Sequence, residues 1–365
     1  MTPLSGRSPR DALRAVAGPI FRRARAWAGF VTGASARARA RLDGSCAAVL
    51  MYHRVLPAER ARHLHVEPGM YVTPETFARH LDWLAESFAV LPLAEIVEFL
   101  ESGTPLPRGA CAVTFDDGWR DNLEHALPAL RSRRLPATIF AVSDRVGTTG
   151  AFWPDEVCRR LAPLGDHERS AILRGVGLAR ALDSGSSLEA TLLALKLLDE
   201  DERANVLDGI RRATKGGAAE FADERELLDW DDLDRLAEQG IAIESHGASH
   251  AILTGVSRAR ARDELARSLA ALRARGHARH ALLAYPSGAF DDGIVELARE
   301  AGYRAAFTTQ VGLASRGDDR LRQPRVAVHE DISRSQAEFL RFVPGSARAA
   351  TAADDGEQAG AGARA

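Results

Sequence analysis

The sequence predicts an α/β fold on a parallel sheet, either closed as a barrel or wound open. Three observations predict it. Apolar runs of strand length alternate with amphipathic stripes at helical spacing. Several stripes end at a glycine, as helices do. Polar residues recur just after the apolar runs, at the ends a parallel sheet gathers on one face.

The elements follow in order. Ala47 to Tyr52 is an apolar strand ending in His53. Thr73-Pro74 starts a helix, a cap hydroxyl followed by proline in the first turn, and Phe77, Leu81, Leu84 and Phe88 form its apolar stripe. Leu93, Ile96, Val97 and Leu100 make the next stripe, stopped near Gly103. Ala110 to Phe115 reads as a buried strand. Leu123, Leu127 and Leu130 mark a helix that Pro128 kinks or shortens. Ala137 to Val142 is a third strand. Leu233 and Leu236 precede a stop at Gly240, then strand Ile241 to Glu244 and the helix of Leu265, Leu269 and Leu272. Strand Ala281 to Tyr285, helix Ile294 to Ala301 with Gly302, and strands Arg304 to Thr308 and Arg325 to Val328 complete the series.

One stretch breaks the alternation. Residues 155–229 show helical patterns and no strand, with apolar clusters at Leu192, Leu193, Leu195, Leu197 and Leu198 and at Val206 and Ile210. Gly185-Ser186-Ser187 and Gly216-Gly217 punctuate it. It reads as a helical insertion, either a lid over the barrel mouth or a bundle without contact to substrate. The domain expectation is therefore a barrel over 46–343 that includes this insertion.

Composition fits an enzyme with a sizeable core: 365 residues, 45% hydrophobic, 27% charged, net charge -2. That balance argues against nucleic-acid binding through bulk charge. Cys46, Cys111 and Cys158 are widely spaced, which suits a reducing compartment. Residues 1–45 carry nine Arg against Asp11 and Asp43, with scattered apolar residues and no run of signal or membrane length. A basic amphipathic helix on an anionic bilayer and a flexible Arg-rich leader both remain open. Residues 344–365, rich in Ala, Gly, Arg and Asp, are expected to be a disordered tail. The expected location is cytoplasmic, with peripheral membrane contact through residues 1–45 as an option.

The chemistry concentrates in Thr114-Phe115-Asp116-Asp117-Gly118, which closes a strand with two adjacent carboxylates and a turn. A bound cation, a raised pKa or plain hydration each relieves such a pair. His246-Gly247-Ala248-Ser249-His250 also follows a strand. One Asp and two His make a facial metal site with open positions, leaving the other Asp free as a base. His53, Asp116, Asp117, His246, Tyr285 and His329 all fall at or just past strand ends.

These motifs, with Tyr285-Pro286-Ser287-Gly288, resemble the polysaccharide deacetylases, the NodB-homology carbohydrate esterases of family 4. The resemblance runs from about Ala47 to Val343 and takes in Met51-Tyr52-His53-Arg54-Val55, Leu135-Pro136-Ala137-Thr138, Phe152-Trp153 and Gly302-Tyr303-Arg304-Ala305-Ala306. The Tyr-His motif is shared with extended members linked to exopolysaccharide synthesis.

The resemblance implies a distorted (β/α)7 barrel and a metal-dependent hydrolase acting on carbon–nitrogen bonds other than peptide bonds. In it Asp116 is the catalytic base, Asp117, His246 and His250 are the metal ligands, and His329 is the matching general acid. Tyr285, Pro286 and Gly288 would contribute to substrate binding, with backbone N–H groups near Tyr285 helping to hold the oxyanion. His53 is a substrate-binding candidate or a scaffold residue across the mouth. Trp119 and Trp153 are candidates to stack on a sugar, or ordinary packing residues. Zinc is the default metal for two imidazoles and a carboxylate, and cobalt or nickel would also fit. The expected substrate is the N-acetyl group of an amino sugar in a glycan or lipid-linked precursor. Removal of another acyl or formyl group, and a silent carbohydrate-binding barrel, are the alternatives.

Two departures stand out. Gly247 replaces the hydroxyl residue usual after the first His, and the segment His280 to Tyr285 lacks the Arg that pairs with the catalytic Asp. Arg325, on the last strand, is the candidate substitute.

Overall fold

A computed structural model describes residue 32 and residues 40–150, 152–178, 187–214 and 225–343. The tail expected at 344–365, the breaks at 185–186 and 216–217, and most of the basic segment 1–45 lie outside the described residues.

Eleven strands are described. They are β1 (Cys46–Tyr52), β2 (Arg54–Val55), β3 (Tyr71–Val72), β4 (Ala89–Val90), β5 (Ala110–Phe115) and β6 (Thr138–Ala141). Then come β7 (Ala242–Ser245), β8 (Leu282–Ala284), β9 (Ala305–Val311), β10 (Ala314–Ser315) and β11 (Gln323–Ala327). Strands β1, β5, β6, β7, β8, β9 and β11 pair in parallel, each with the next, and β11 returns to β1. The architecture is α/β with a closed seven-strand parallel barrel. These seven are the runs the sequence marks as strands. The two-residue pieces β2, β3, β4 and β10 are too short to carry a period. β4 extends the sheet beyond β5, β10 runs antiparallel beside the start of β1, and β2 pairs β3 separately.

Alternation sorts the strand residues into two apolar clusters. Ala48, Leu50 and Tyr52 of β1 and Cys111, Val113 and Phe115 of β5 join the cores of the surrounding helices. Ala47, Val49, Ala110 and Ala112 point the other way, packing with Phe140, Leu282 and Phe307. A seven-strand ring has a narrow interior, so small residues interleaved with a few rings fill it. Thr114 and Asp116 continue that inward parity toward the C-terminal end of β5.

The helices begin and end where their chemistry requires. The Thr73 hydroxyl accepts from the Thr76 N–H at 3.2 Å, and Pro74 fills the first position of helix Pro74–Ser87. Gly103, at φ 73°, ends helix Leu93–Ser102 in the left-handed conformation. Asn122–Ala126 is a π-helical turn running into the α-helix Leu127–Arg133. Pro128 has no N–H to give Glu124, and the ladder widens there.

Residues 153–213 contribute helices Trp153–Leu161, Asp166–Gly175, Leu188–Lys196 and Glu200–Ala213. They share a core of their own around Val157, Leu161, Leu173, Leu192, Leu195 and Ile210. The dense leucine run divides by face: Leu192 and Leu195 are buried, whereas Leu193 and Leu197 are exposed. The three cysteines are free. Among the described residues no helix is long and apolar enough to cross a membrane.

Candidate active site

The site starts where β5 stops. The Asp116 N–H donates to the Tyr52 carbonyl at 3.0 Å, carrying the β5–β1 ladder one residue further. The chain then turns through Asp117 at φ 76° and Gly118 at φ 82°. A left-handed Asp costs about 1 kcal/mol, and the turn sends the two carboxylates of neighbouring residues to different partners. Asp117 Oδ2 accepts from the Trp119 indole N–H at 2.9 Å. Its Oδ1 lies 3.3 Å from Nε2 of both His246 and His250.

His246 follows β7, its N–H bonded to the Ala141 carbonyl at 2.9 Å. Its ring Nδ1 is 2.8 Å from the Ala284 carbonyl. A carbonyl only accepts, so Nδ1 carries a hydrogen, and Nε2 is the ring nitrogen that faces Asp117. His250 reaches the same point from a left-handed residue at φ 67°. Its Nδ1 is buried without a hydrogen-bond partner among the described residues, and Phe152 packs on its ring, 4.8 Å between centroids.

The loop between the two histidines does not need the hydroxyl absent at Gly247. Glu264, fully buried on helix Arg258–Ala274, accepts from the N–H groups of Ala248 (3.1 Å) and Ser249 (2.7 Å) and from the Ser249 hydroxyl (2.8 Å). Gly247 sits at φ 77°, and a Cβ there would come within 3.2 Å of the Pro286 ring. Backbone conformation and the neighbouring proline thus favour glycine.

Asp116 has a different partner. Arg325, wholly buried on β11, reaches across the barrel and donates Nη1 to Oδ1 (2.8 Å) and Nη2 to Oδ2 (2.7 Å). Its Nε donates to the Thr308 carbonyl at 3.0 Å, which fixes the fork. Burial pushes the Asp116 carboxyl up, but Arg325 and His246 outweigh it and hold the group below the usual range. Burial acts likewise on Asp117, where the two histidines prevail and hold the carboxyl well below that range. Burial lowers His53, against the pull of Asp117 and Asp116.

The expected site residues separate on inspection. His53, Asp116, Asp117, Trp119, His246, His250, Tyr285 and Gly288 all line one cavity of about 280 Å³. His53 Nε2 is 4.0 Å from Asp116 Oδ2. Pro286, Trp153 and His329 are not among the residues described as lining it. Pro286 is buried behind the wall, against Gly247. Trp153 packs into the helical core of residues 153–213, with the Arg203 guanidinium 5.7 Å from its ring centre. The His329 imidazole stands beside Asp331, 3.5 Å away, and near Gly69. β11 delivers Arg325 to the interior instead. Tyr285 is spoken for as well: its hydroxyl donates to the Leu321 carbonyl (2.9 Å) and its N–H to the Phe307 carbonyl (3.0 Å). The Gly288 N–H donates to the Tyr285 carbonyl at 2.8 Å, so neither N–H is free for an oxyanion.

A second charged group borders the same cavity. The Arg54 guanidinium stacks on Trp119, 3.9 Å from its ring centre, and pairs with Asp121 and Glu226 at 2.9 Å each. Glu226 also takes Arg159 at 2.6 Å. Asp155, Glu67 and Lys196 complete this wall. The sequence offered one pointer, Arg54 beside His53, whereas Asp121, Glu226 and Arg159 lie in three other segments.

The ligand atoms of Asp117, His246 and His250 lie within 4.8 Å of one another. With Nδ1 of His246 committed to the Ala284 carbonyl, Nε2 is the ring atom left to ligate, and a carboxylate oxygen and two imidazoles converge. That donor set fits a divalent metal ion.

The polysaccharide deacetylase family model matches residues 103–171 and 186–306. A Bacillus subtilis protein named "Putative polysaccharide deacetylase YxkH" is 22% identical over 288 residues, 79% of this chain and 73% of that protein. The poly-beta-1,6-N-acetyl-D-glucosamine N-deacetylase of Staphylococcus epidermidis is 30% identical over 79 residues, 21% of this chain and 27% of that protein. Among solved structures, the Streptococcus pyogenes deacetylase PplD in complex with acetate superposes with a TM-score of 0.54 at 17% identity, covering 81% of this chain and 97% of that one. At that identity the likeness concerns the fold.

Proposed function

This chain belongs to the polysaccharide deacetylase family, and we propose that it hydrolyses the N-acetyl group of an amino sugar in a polysaccharide, oligosaccharide or lipid-linked precursor, using a divalent metal ion. The observation that carries the reading is the divergence of two adjacent carboxylates. Asp117 shares one oxygen with two imidazoles, while Asp116 is drawn aside by Arg325. The name of the staphylococcal relative supports an N-acetylglucosamine polymer as the first substrate to try.

Asp117, His246 and His250 would hold the metal, zinc by preference, with cobalt or nickel also suited to the donors. Such an ion supplies Lewis acidity, polarising a carbonyl and making water acidic near neutral pH. Asp116 stays ionised because both its oxygens accept from Arg325, so its carboxylate can receive a proton. The departing amine needs a proton in return. His53 Nε2, 4.0 Å from Asp116 and lining the cavity, is better placed than His329 to relay to the amine the proton that Asp116 takes up, since burial disfavours a standing charge on its ring. Trp119 and Phe152, both buried, keep water from that side of the cavity.

The test is acetate release from N-acetylglucosamine oligomers by metal-loaded protein, lost on chelation. Asp116→Asn should lower turnover at least about 10³-fold with bound metal unchanged by elemental analysis. Full metal content in both Asp117→Ala and His246→Ala would sink the ligand assignment. A mass-spectrometric screen of acetylated glycans and lipid-linked sugars then selects the substrate.

A further inference from the structure

We propose that the cavity holds a second subsite, built on Asp155 beside Glu67 and Lys196, that takes the primary ammonium of an already deacetylated amino sugar. The inference rests on the deacetylase reading above and adds to it a preference for partly deacetylated glycans.

Asp155 lies in the first turn of helix Trp153–Leu161, is 7% exposed and lines the cavity. Among the described residues its carboxyl has neither a hydrogen bond nor an ion pair. Its cationic neighbours are engaged elsewhere. Arg54 pairs with Asp121 and Glu226, Arg159 with Glu226, and Lys196 lies 3.6 Å from Glu67. Three cations therefore face four carboxylates, and Asp155 is the one left over. Its unpaired oxygens open onto the cavity, where a ligand would supply the donors they lack. Burial pushes the carboxyl up to about 7, against the pull of Arg54 and Arg159.

The ligand chemistry follows from that deficit. A sugar hydroxyl would supply one donor and leave the charge uncompensated. An ammonium supplies three donors and a positive charge, and is compact enough for a cavity of about 280 Å³ that also holds the acetamide. The deacetylation itself produces that ammonium. A glycan carrying one free amine would therefore bind across both walls, the amine on Asp155 and an N-acetyl group toward Asp116.

The experiment compares fully acetylated chitotetraose with the same oligomer carrying one glucosamine residue, for wild type and Asp155→Asn. Wild type should favour the amine-bearing oligomer about tenfold in kcat/KM, the effect of one charge-assisted hydrogen bond. The ratio should fall to about one in Asp155→Asn. Asn is isosteric and breaks no observed contact, and a wild-type unfolding curve would confirm that the variant folds. Equal rates on the two oligomers in wild type, or an undiminished preference in the variant, overturn the proposal. Calorimetry with glucosamine and with N-acetylglucosamine reads the subsite without turnover. Binding of glucosamine that is weakened in Asp155→Asn supports the subsite even if no acetate is ever released, an outcome that would defeat only the deacetylase reading. Acetate release with equal glucosamine binding in both proteins defeats only the subsite.

Discussion

Two charged clusters meet at one cavity, and they are satisfied differently. Around Asp117 the donors are few: one indole N–H on Oδ2, and two imidazole nitrogens 3.3 Å from Oδ1. Around Glu226 the pairing is dense, with Arg54 and Arg159 on its two oxygens and Asp121 on the far side of Arg54. The first cluster stands on strand ends and leaves lone pairs directed at a shared point. The second ties β2, the turn after β5 and helix Trp153–Leu161 together through ion pairs that leave little over. Buried charges matched within the protein act as a clasp. Buried charges with unmatched lone pairs mark where a ligand belongs. Arg325–Asp116 combines both behaviours, since a fully matched pair keeps a carboxylate ionised beside the unmatched cluster.

The sharpest way to break the contrast is Arg325→Met, which strips both donors from Asp116. Loss of one partner of a buried pair should cost about 3–5 kcal/mol in urea denaturation. The pH dependence follows from the sign of the shift. Asp116 is held below its ordinary value in the fold, so its stabilisation is present above the unfolded pKa and is lost as pH falls through the folded one. Without Arg325 burial dominates, the carboxyl titrates higher, and the acidic limb of the pH–rate profile should move up.

Glu226→Gln probes the clasp. The amide keeps one acceptor but leaves Arg54 and Arg159 short of a charge, and about 2–3 kcal/mol should be lost. Metal content should stay intact. Metal loss as complete as in Asp117→Ala would mean that the clusters are one unit, and the distinction would collapse.

Trp119→Phe is the subtlest change. It keeps the ring beneath Arg54 and removes the hydrogen bond to Asp117 Oδ2. Metal affinity measured by competition with a chelator should fall by about 10–100-fold, as for other groups that orient a ligand. An unchanged affinity would show that the indole does not orient Asp117.

Much of this was legible in the sequence. The seven barrel strands are apolar runs long enough to show; Asp116, Asp117 and His246 stand directly after two of them, and His250 follows in the loop after His246. Their convergence follows from parallel strands ending on one face. Gly247 was harder to judge, because its reason lies in Pro286 and its compensation in Glu264, a helix away. His329 lies off the cavity lining, because strand-end position says nothing of the direction in which the following loop carries the ring.

The local pattern alone determined the strands, their order and the polar residues at their ends, because side-chain alternation and chain reversal are properties of neighbouring residues. Which charges meet was decided by tertiary structure. Arg325 is separated from Asp116 by 209 positions and reaches it only because the barrel closes and both side chains point inward. Asp155 is left unmatched for a related reason: an ion pair needs contact, and contact between distant segments is fixed by how the chain folds back on itself.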